Sequence, residues 1–319
     1  MGRVRPTQLV RWSMLAAAIT FLACAIRLGF PWFLFWRFLS GLTGGFILVA
    51  VAPTVLAAVD PGRRGRVGGI MFAGVGLGIV AAGTLIPQLL GAGLVTTWLA
   101  LGLLSLGLTL LVWTSWPTDA PLVRSRAAGR AAPTTPILAV GLVYALFALG
   151  LVPHMVFLVD FIARGLGWGI ATGSLYWVLY GLGAVVGPFA AGWLGDRIGF
   201  ARGLALALTL LLAGVLIPLV APFALPLALS ALVTGAFTPG MPTLVLGRMG
   251  ELSRGGDAHA AWAFATTAYA VSQAGGAYAM SWLYAHTTGY EPLFLAGAAA
   301  LAAALALSLI ASRAAAGRT

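Results

Sequence analysis

Apolar residues run along this chain in blocks about the length of a bilayer-spanning helix, and polar residues are confined to the gaps between them. A helix needs roughly 20 mostly apolar residues to cross a bilayer. Ten blocks meet that need: 12–29, 31–58, 66–91, 93–114, 136–163, 170–195, 203–221, 223–247, 259–285 and 291–311. Turn signals separate several of them, among them Gly29-Phe30-Pro31 and Pro61-Gly62. The second block is long enough to hold a tilt or a break. The expected fold class is an all-α membrane protein of about ten transmembrane helices.

Composition sharpens this. Of 319 residues, 61% are hydrophobic and 8% charged, and mean hydropathy is +1.02. A soluble domain of this size needs a more polar surface. The net charge of +11 invites a nucleic-acid reading, but the arginines stand in short gaps between apolar blocks. That is how topology determinants are placed, so no nucleic-acid partner is expected. Cys24 is the single cysteine, which excludes an internal disulfide. Arg3, Arg5 and Arg11 ahead of Met14 to Ile26 imitate a signal peptide. Phe21-Leu22-Ala23-Cys24 departs from a lipoprotein cleavage box, and nine more blocks follow, so a retained first helix is expected.

If ten helices alternate, fifteen of the 18 arginines fall on one face. These are Arg3, Arg5 and Arg11; Arg63, Arg64 and Arg66; Arg124, Arg126 and Arg130; Arg197 and Arg202; Arg248 and Arg254; Arg313 and Arg318. The other face has Arg27 and Arg164, and Arg37 lies inside a block. The positive-inside rule then places both termini in the cytoplasm of an inner (plasma) membrane. The longest polar gap, 115–135, reads as a cytoplasmic linker. It divides the chain into a four-helix bundle over 1–114 and a six-helix bundle over 136–319.

The chain also repeats. Phe72-Ala73 and Ala82-Gly83 recur as Phe264-Ala265 and Ala274-Gly275, 192 residues later. Ser40-Gly41 pairs with Thr234-Gly235 at an offset of 194. The blocks concerned are six apart and share orientation, as in a parallel repeat of six helices. Between blocks six and seven stands Gly192-Trp193-Leu194-Gly195-Asp196-Arg197-Ile198-Gly199-Phe200-Ala201-Arg202. It resembles the G-x-L-x-D-R-x-G-x-x-R loop of the major facilitator superfamily, which follows the second helix of each six-helix half. Arg37, Gly41 and Gly45 match that superfamily's R-x3-G-x3-G pattern. Val152 to Phe161, Arg164 to Gly167, and Leu246-Gly247-Arg248 look like its YbfB/YjiJ-type branch. The resemblance implies helices 3–12 of a twelve-helix bundle, with Met1 to Arg5 as the tail of a first loop copy that has no Asp. On that reading two helices precede Met1, and the shortened form is expected to transport poorly. The Gly-Pro step of the antiporter pattern is replaced by Gly78-Ile79.

Ionisable groups within a bilayer are costly and usually retained for a task. Arg37 either binds an anionic group or biases protons in a central cavity, or snorkels to headgroups; Gly41 and Gly45 on its face would admit a close helix. His154 follows Pro153, where a freed carbonyl invites a kink; it either binds substrate or a proton, or packs against a carbonyl. Asp160, the only acid in the interior of a block (Glu291 merely opens the last one), forms an i,i+4 pair with Arg164 and is the remaining carboxylate for proton coupling. Trp262, Thr266, Tyr269 and Gln273 share one helical face, as do Thr172, Tyr176 and Tyr180. Such stripes either line a site for a small organic molecule or bond helix to helix. By the resemblance, the loop residues Gly192, Gly195, Asp196, Arg197, Gly199 and Arg202 gate the inner side.

No P-loop, metal-spaced His/Cys set or G-x-S-x-G is present, so neither an enzyme nor a cofactor is expected. The expected function is secondary active transport of a small solute by alternating access, with protons as a candidate coupling ion. A ten-helix drug/metabolite-type exporter has inverted five-helix halves, unlike this repeat. An inactive transporter fragment is the other alternative.

Overall fold

A computed structural model describes residues 6–57, 59, 64–116, 134–253 and 258–316. Gly2, Arg3, Arg5, Pro61-Gly62, Arg63, most of the 115–135 gap, Arg254 and Arg318 lie outside them. The described residues form ten helical spans and no strand. They are α1 (Pro6–Cys24), α2 (Phe30–Ala57), α3 (Arg64–Gly91), α4 (Leu94–Val112), α5 (Thr135–Gly165), α6 (Gly169–Ile198), α7 (Phe200–Val220), α8 (Ala224–Leu252), α9 (Ala258–Thr287) and α10 (Glu291–Ala316). All except α2 and α9 are, among the described residues, both long and apolar enough to cross a membrane. Several helices outrun their apolar blocks: α1 starts at Pro6, a residue suited to a first helical position, and α8 continues through Arg248 to Leu252. Polar residues can extend a helix past the hydrocarbon, so hydropathy marks the bilayer more sharply than the helix. α2 runs unbroken for 28 residues.

The chain divides into two compact units, residues 1–71 with 85–124 and residues 72–84 with 125–319. In the first, α1 packs on α2 and α4. A Cβ on Gly102 would stand 2.7 Å from Leu22 Cγ, so α4 lies directly on α1. Trp32 Nε1 donates to Ala23 O at 2.9 Å, satisfying one of the carbonyls left free at the end of α1.

The second unit is the larger. Its closest seam joins α6 to α8. A Cβ on Gly187 would overlap the carbonyl of Ala236, and one on Gly235 the carbonyl of Tyr180. Small residues are how helices approach in lipid, where apolar burial gives no net drive. The middle of α3 lies on the other side of α6: a Cβ on Gly181 would meet Val80 N at 2.7 Å. Phe147, Leu151, Leu158, Leu208, Leu211 and Met241 fill the core. Large apolar side chains such as Val186, Val220 and Leu225 are exposed on the outside, as a lipid-facing surface requires.

α5 is not a regular helix. It is α-helical over Thr135–Val152, widens into a π turn at Pro153–Phe157, recovers over Leu158–Asp160 and widens again at Phe161–Gly165. Leu166 N accordingly bonds Phe161 O at 2.8 Å, five residues back. Pro153 has no N–H to give, which breaks the ladder at the first turn. π turns of this kind gather at functional sites.

Candidate transport site

The stripe on α9 faces α5. The Tyr269 ring lies 4.7 Å from that of Tyr144, tilted by 31°, and 6.1 Å from Phe147, and Trp262 lies 6.1 Å from Tyr144. Gln273 Nε2 donates to Tyr269 Oη at 2.9 Å and reaches Met155 Sδ at 3.0 Å. Ser272 Oγ donates to Ala145 O at 2.6 Å. Thr266 Oγ1 is buried and has no hydrogen-bond partner among the described residues. The four stripe residues are half-buried. Tyr144, Phe147 and Met155, which complete this surface, were not among the sequence candidates. Their spacing of three and eight along α5 carries the signal, but aromatics in an apolar helix look the same whether they meet lipid or protein.

The α6 stripe is spent on α8. Tyr176 Oη donates to Ala224 O at 3.0 Å, and Tyr180 Oη pairs with Thr238 Oγ1. Both tyrosines are buried, and Trp177 stacks on Tyr180 at 4.9 Å.

His154 is fully buried in the first π turn. Ser230 Oγ donates its hydrogen to Gly214 O at 2.6 Å, so the 2.8 Å contact with His154 Nε2 is a donation from the ring. Nδ1 is then a bare acceptor, buried without a partner among the described residues. Phe294 of α10 meets the ring edge-on at 5.5 Å. The histidine thus joins α5, α7, α8 and α10 inside the six-helix unit.

Asp160 Oδ1 accepts from Arg164 Nε at 2.8 Å, and Oδ2 accepts from Tyr290 Oη at 2.6 Å. Tyr284 donates to Tyr290 Oη at 3.2 Å. Tyr290 lies in the turn between α9 and α10. Burial, and then its bonds with Asp160 and Tyr284, push its phenol above the usual tyrosine range.

Arg37 belongs to the other unit. It is exposed on α2, its guanidinium 5.6 Å over the Trp98 ring of α4. No described atom lies within 4 Å of a Cβ built on Gly41 or Gly45. The close helix expected there is not found among the described residues, because α2 turns a different face, carrying Thr43, inward.

The loop motif is a tight helix-to-helix corner. Gly199 ends α6 with φ +84°, a conformation that suits glycine, and its N–H bonds Gly195 O at 2.9 Å. Phe200 fills the space left by Gly195 and Gly247, which a Cβ on either would obstruct. Gly192 is 3.9 Å, through such a Cβ, from Thr243. Arg197 lies 5.2 Å over the Trp193 ring. Asp196 and Arg202 are exposed, and Asp196 has no ion pair among the described residues.

Eight helices long and apolar enough to cross a bilayer, packed through glycine seams, define a polytopic membrane protein. The family described as "Uncharacterised MFS-type transporter YbfB" matches residues 1–309, and the chain belongs to it. No curated protein matches the chain. Among solved structures, the fold is similar to the MFS transporter FucP in its outward conformation, with a TM-score of 0.66 at 14% identity over 98% of this chain and 84% of that one. It is also similar to a bacterial homologue of the iron transporter ferroportin. The outward-facing form gives a TM-score of 0.59 at 15% identity over 97% and 84% of the two chains. The inward-facing form gives 0.56 at 18% over 96% and 82%. These likenesses are of fold.

Proposed function

We propose that this chain is a secondary active transporter of a small solute, working by alternating access between bundles spanning 1–114 and 136–319. Family membership supports transport. The observation that carries the choice of site is the α5–α9 face: two tyrosines in tilted ring contact, a tryptophan, the Gln273 amide and an unpartnered Thr266 hydroxyl. Such a surface suits a small, largely uncharged organic molecule that presents both a flat face and a hydrogen-bonding group. The loop around Asp196 and Arg197 is the inner gate, in an inner membrane with both termini cytoplasmic.

Proton coupling is assigned to Arg37, His154 and Asp160 as candidates. Asp160 is already engaged by Arg164 and Tyr290, and a proton there would release that pairing. Tyr176 and Tyr180 support the site through α8.

The experiment is solute flux into proteoliposomes holding the full chain, with and without an imposed pH gradient, across a panel of neutral and anionic small organic solutes. At least one solute should show saturable uptake, reduced about tenfold or more by Tyr269→Ala, the loss of one well-placed binding contact. Absence of both saturable binding and saturable flux across the panel overturns the transport reading for this chain. If Arg37→Ala leaves the pH dependence of uptake unchanged, Arg37 has no part in coupling.

A further inference from the structure

Met155 and Gln273 meet where α5 and α9 come close: a Cβ on Gly276, three residues past Gln273, would stand 2.5 Å from Leu149 Cδ1. Gln273 Nε2 lies 3.0 Å from Met155 Sδ and 2.9 Å from Tyr269 Oη. A thioether sulfur accepts hydrogen bonds and has none to give. The atom facing Met155 is therefore the amide NH2, and the sulfur decides which way round the amide stands. Its two hydrogens have two acceptors, so that group is spent. Two complementary groups are left over. Gln273 Oε1 accepts nothing among the described residues, and the Tyr269 hydroxyl, an acceptor towards Gln273, still has its own hydrogen to give. Met155, Tyr269 and Gln273 are half-buried, so the leftover pair is not sealed off. Met155 is also held from behind. His154, one residue earlier in the same π turn, donates to Ser230 at 2.8 Å, which ties the turn to α8.

We propose that the α5–α9 face recognises a planar, uncharged carboxamide or lactam, and that Met155 is the positioning residue that sets this choice. The proposal rests on the reading of that face as the solute site. The carbonyl of such a solute accepts from Tyr269 Oη, and its N–H donates to Gln273 Oε1. The flat body of the solute meets the Trp262 and Tyr269 rings. A charged solute fares worse. The ion pairs among the described residues stand elsewhere, at Asp160–Arg164 and Arg248–Glu251, and a desolvated charge without a counter-ion is costly. A ketone or an N,N-dialkyl amide has no N–H, and leaves Gln273 Oε1 unpaired.

The test is binding of tritiated benzamide to the full chain in nanodiscs, competed with acetophenone, N,N-dimethylbenzamide, 2-pyridone and benzoate. Benzamide and 2-pyridone should bind saturably. The other three should bind about tenfold or more weaker, the scale of one hydrogen-bonding group left without its partner. Met155→Leu keeps the volume but removes the acceptor. The amide is then free to turn over, Oε1 taking the Tyr269 hydrogen and the NH2 facing the solute. Acetophenone then leaves nothing unpaired, so it should tighten while benzamide weakens, and their ratio should narrow to about threefold or less. General damage to the site would weaken both together. Tyr269→Phe should weaken both, because both present a carbonyl. A benzamide-to-acetophenone ratio near one in the native chain overturns the proposal, and so does a ratio that Met155→Leu leaves unchanged. Saturable, Tyr269-dependent binding of a different solute, with none of benzamide, overturns it too and leaves the site reading standing. Loss of saturable binding and flux for every solute in the wider panel overturns that reading as well.

Discussion

Ser230 stands 2.8 Å from His154, donates its own hydrogen to Gly214, and leaves the histidine N–H as the donor between them. Three helices meet in that chain of two bonds. Ser230→Ala should therefore strand a buried ring N–H, at a cost of about 1–3 kcal/mol. His154→Phe removes the donor as well, so the double variant should lose less than the two single losses together. Thermal unfolding of the purified chain in detergent measures all three. Strict additivity would show that the pair is not coupled.

The α6–α8 seam separates glycines by what lies opposite. Gly187→Ala and Gly235→Ala each drive a methyl into a backbone carbonyl, and backbone cannot move aside as a side chain can. Overpacking of this sort costs about 1–3 kcal/mol or more. Gly192→Ala meets nothing nearer than 3.9 Å and should be silent. Size-exclusion profiles and unfolding temperatures of the three variants should fall into those two groups. Equal behaviour would mean that the seam is looser than drawn.

Gly199 is a separate case, because its demand is on the backbone. With φ at +84°, Gly199→Ala should cost about 1–2 kcal/mol from its Cβ alone. Asp196→Asn, one turn earlier, has no ion pair to lose among the described residues, and should leave stability within about 0.5 kcal/mol. A large stability loss for Asp196→Asn would reveal a structural partner; a transport defect at unchanged stability fits the gate.

Tyr290 bears on alkaline stability. Its phenol is held above the usual range, by burial first and by Asp160 and Tyr284 after that. The unfolded chain begins to lose this proton near pH 10, while the folded chain keeps it. The contribution is therefore complete below about pH 10 and is lost as pH rises further toward the folded value. Unfolding temperatures followed upward from pH 9 should fall more steeply for the native chain than for Tyr290→Phe. Parallel curves would remove Tyr290 from the account.

The number and order of the helices were legible because twenty apolar residues in a row have few other uses. The corner at Gly199 was legible from a spaced glycine motif. What escaped depended on partners far off in the chain. Ser230 lies 76 residues from His154, and nothing in the apolar run around Ser230 marks it as a hydrogen-bond relay. The α9 stripe stood out because tyrosine and glutamine are unusual in lipid, whereas Tyr144 and Phe147, against which it packs, sit in a helix where an aromatic is unremarkable. Tyr176 and Tyr180 looked like the α9 stripe in spacing, yet they meet Ala224 and Thr238 instead. Spacing specifies a shared face but not what that face touches.

Pro153 announced a kink in α5 but not its form. Each π turn amounts to one residue inserted into a helix that otherwise advances about 100° per residue. After the first insertion, Asp160 is rotated by about 100° from where an unbroken helix would have carried it. One continuous span can in this way present its early half to α9 and its late half, through Asp160, to the turn after α9. The odd turns thus act as a phase shifter: they let a single membrane crossing serve two neighbours that a straight helix would have had to serve from different sides.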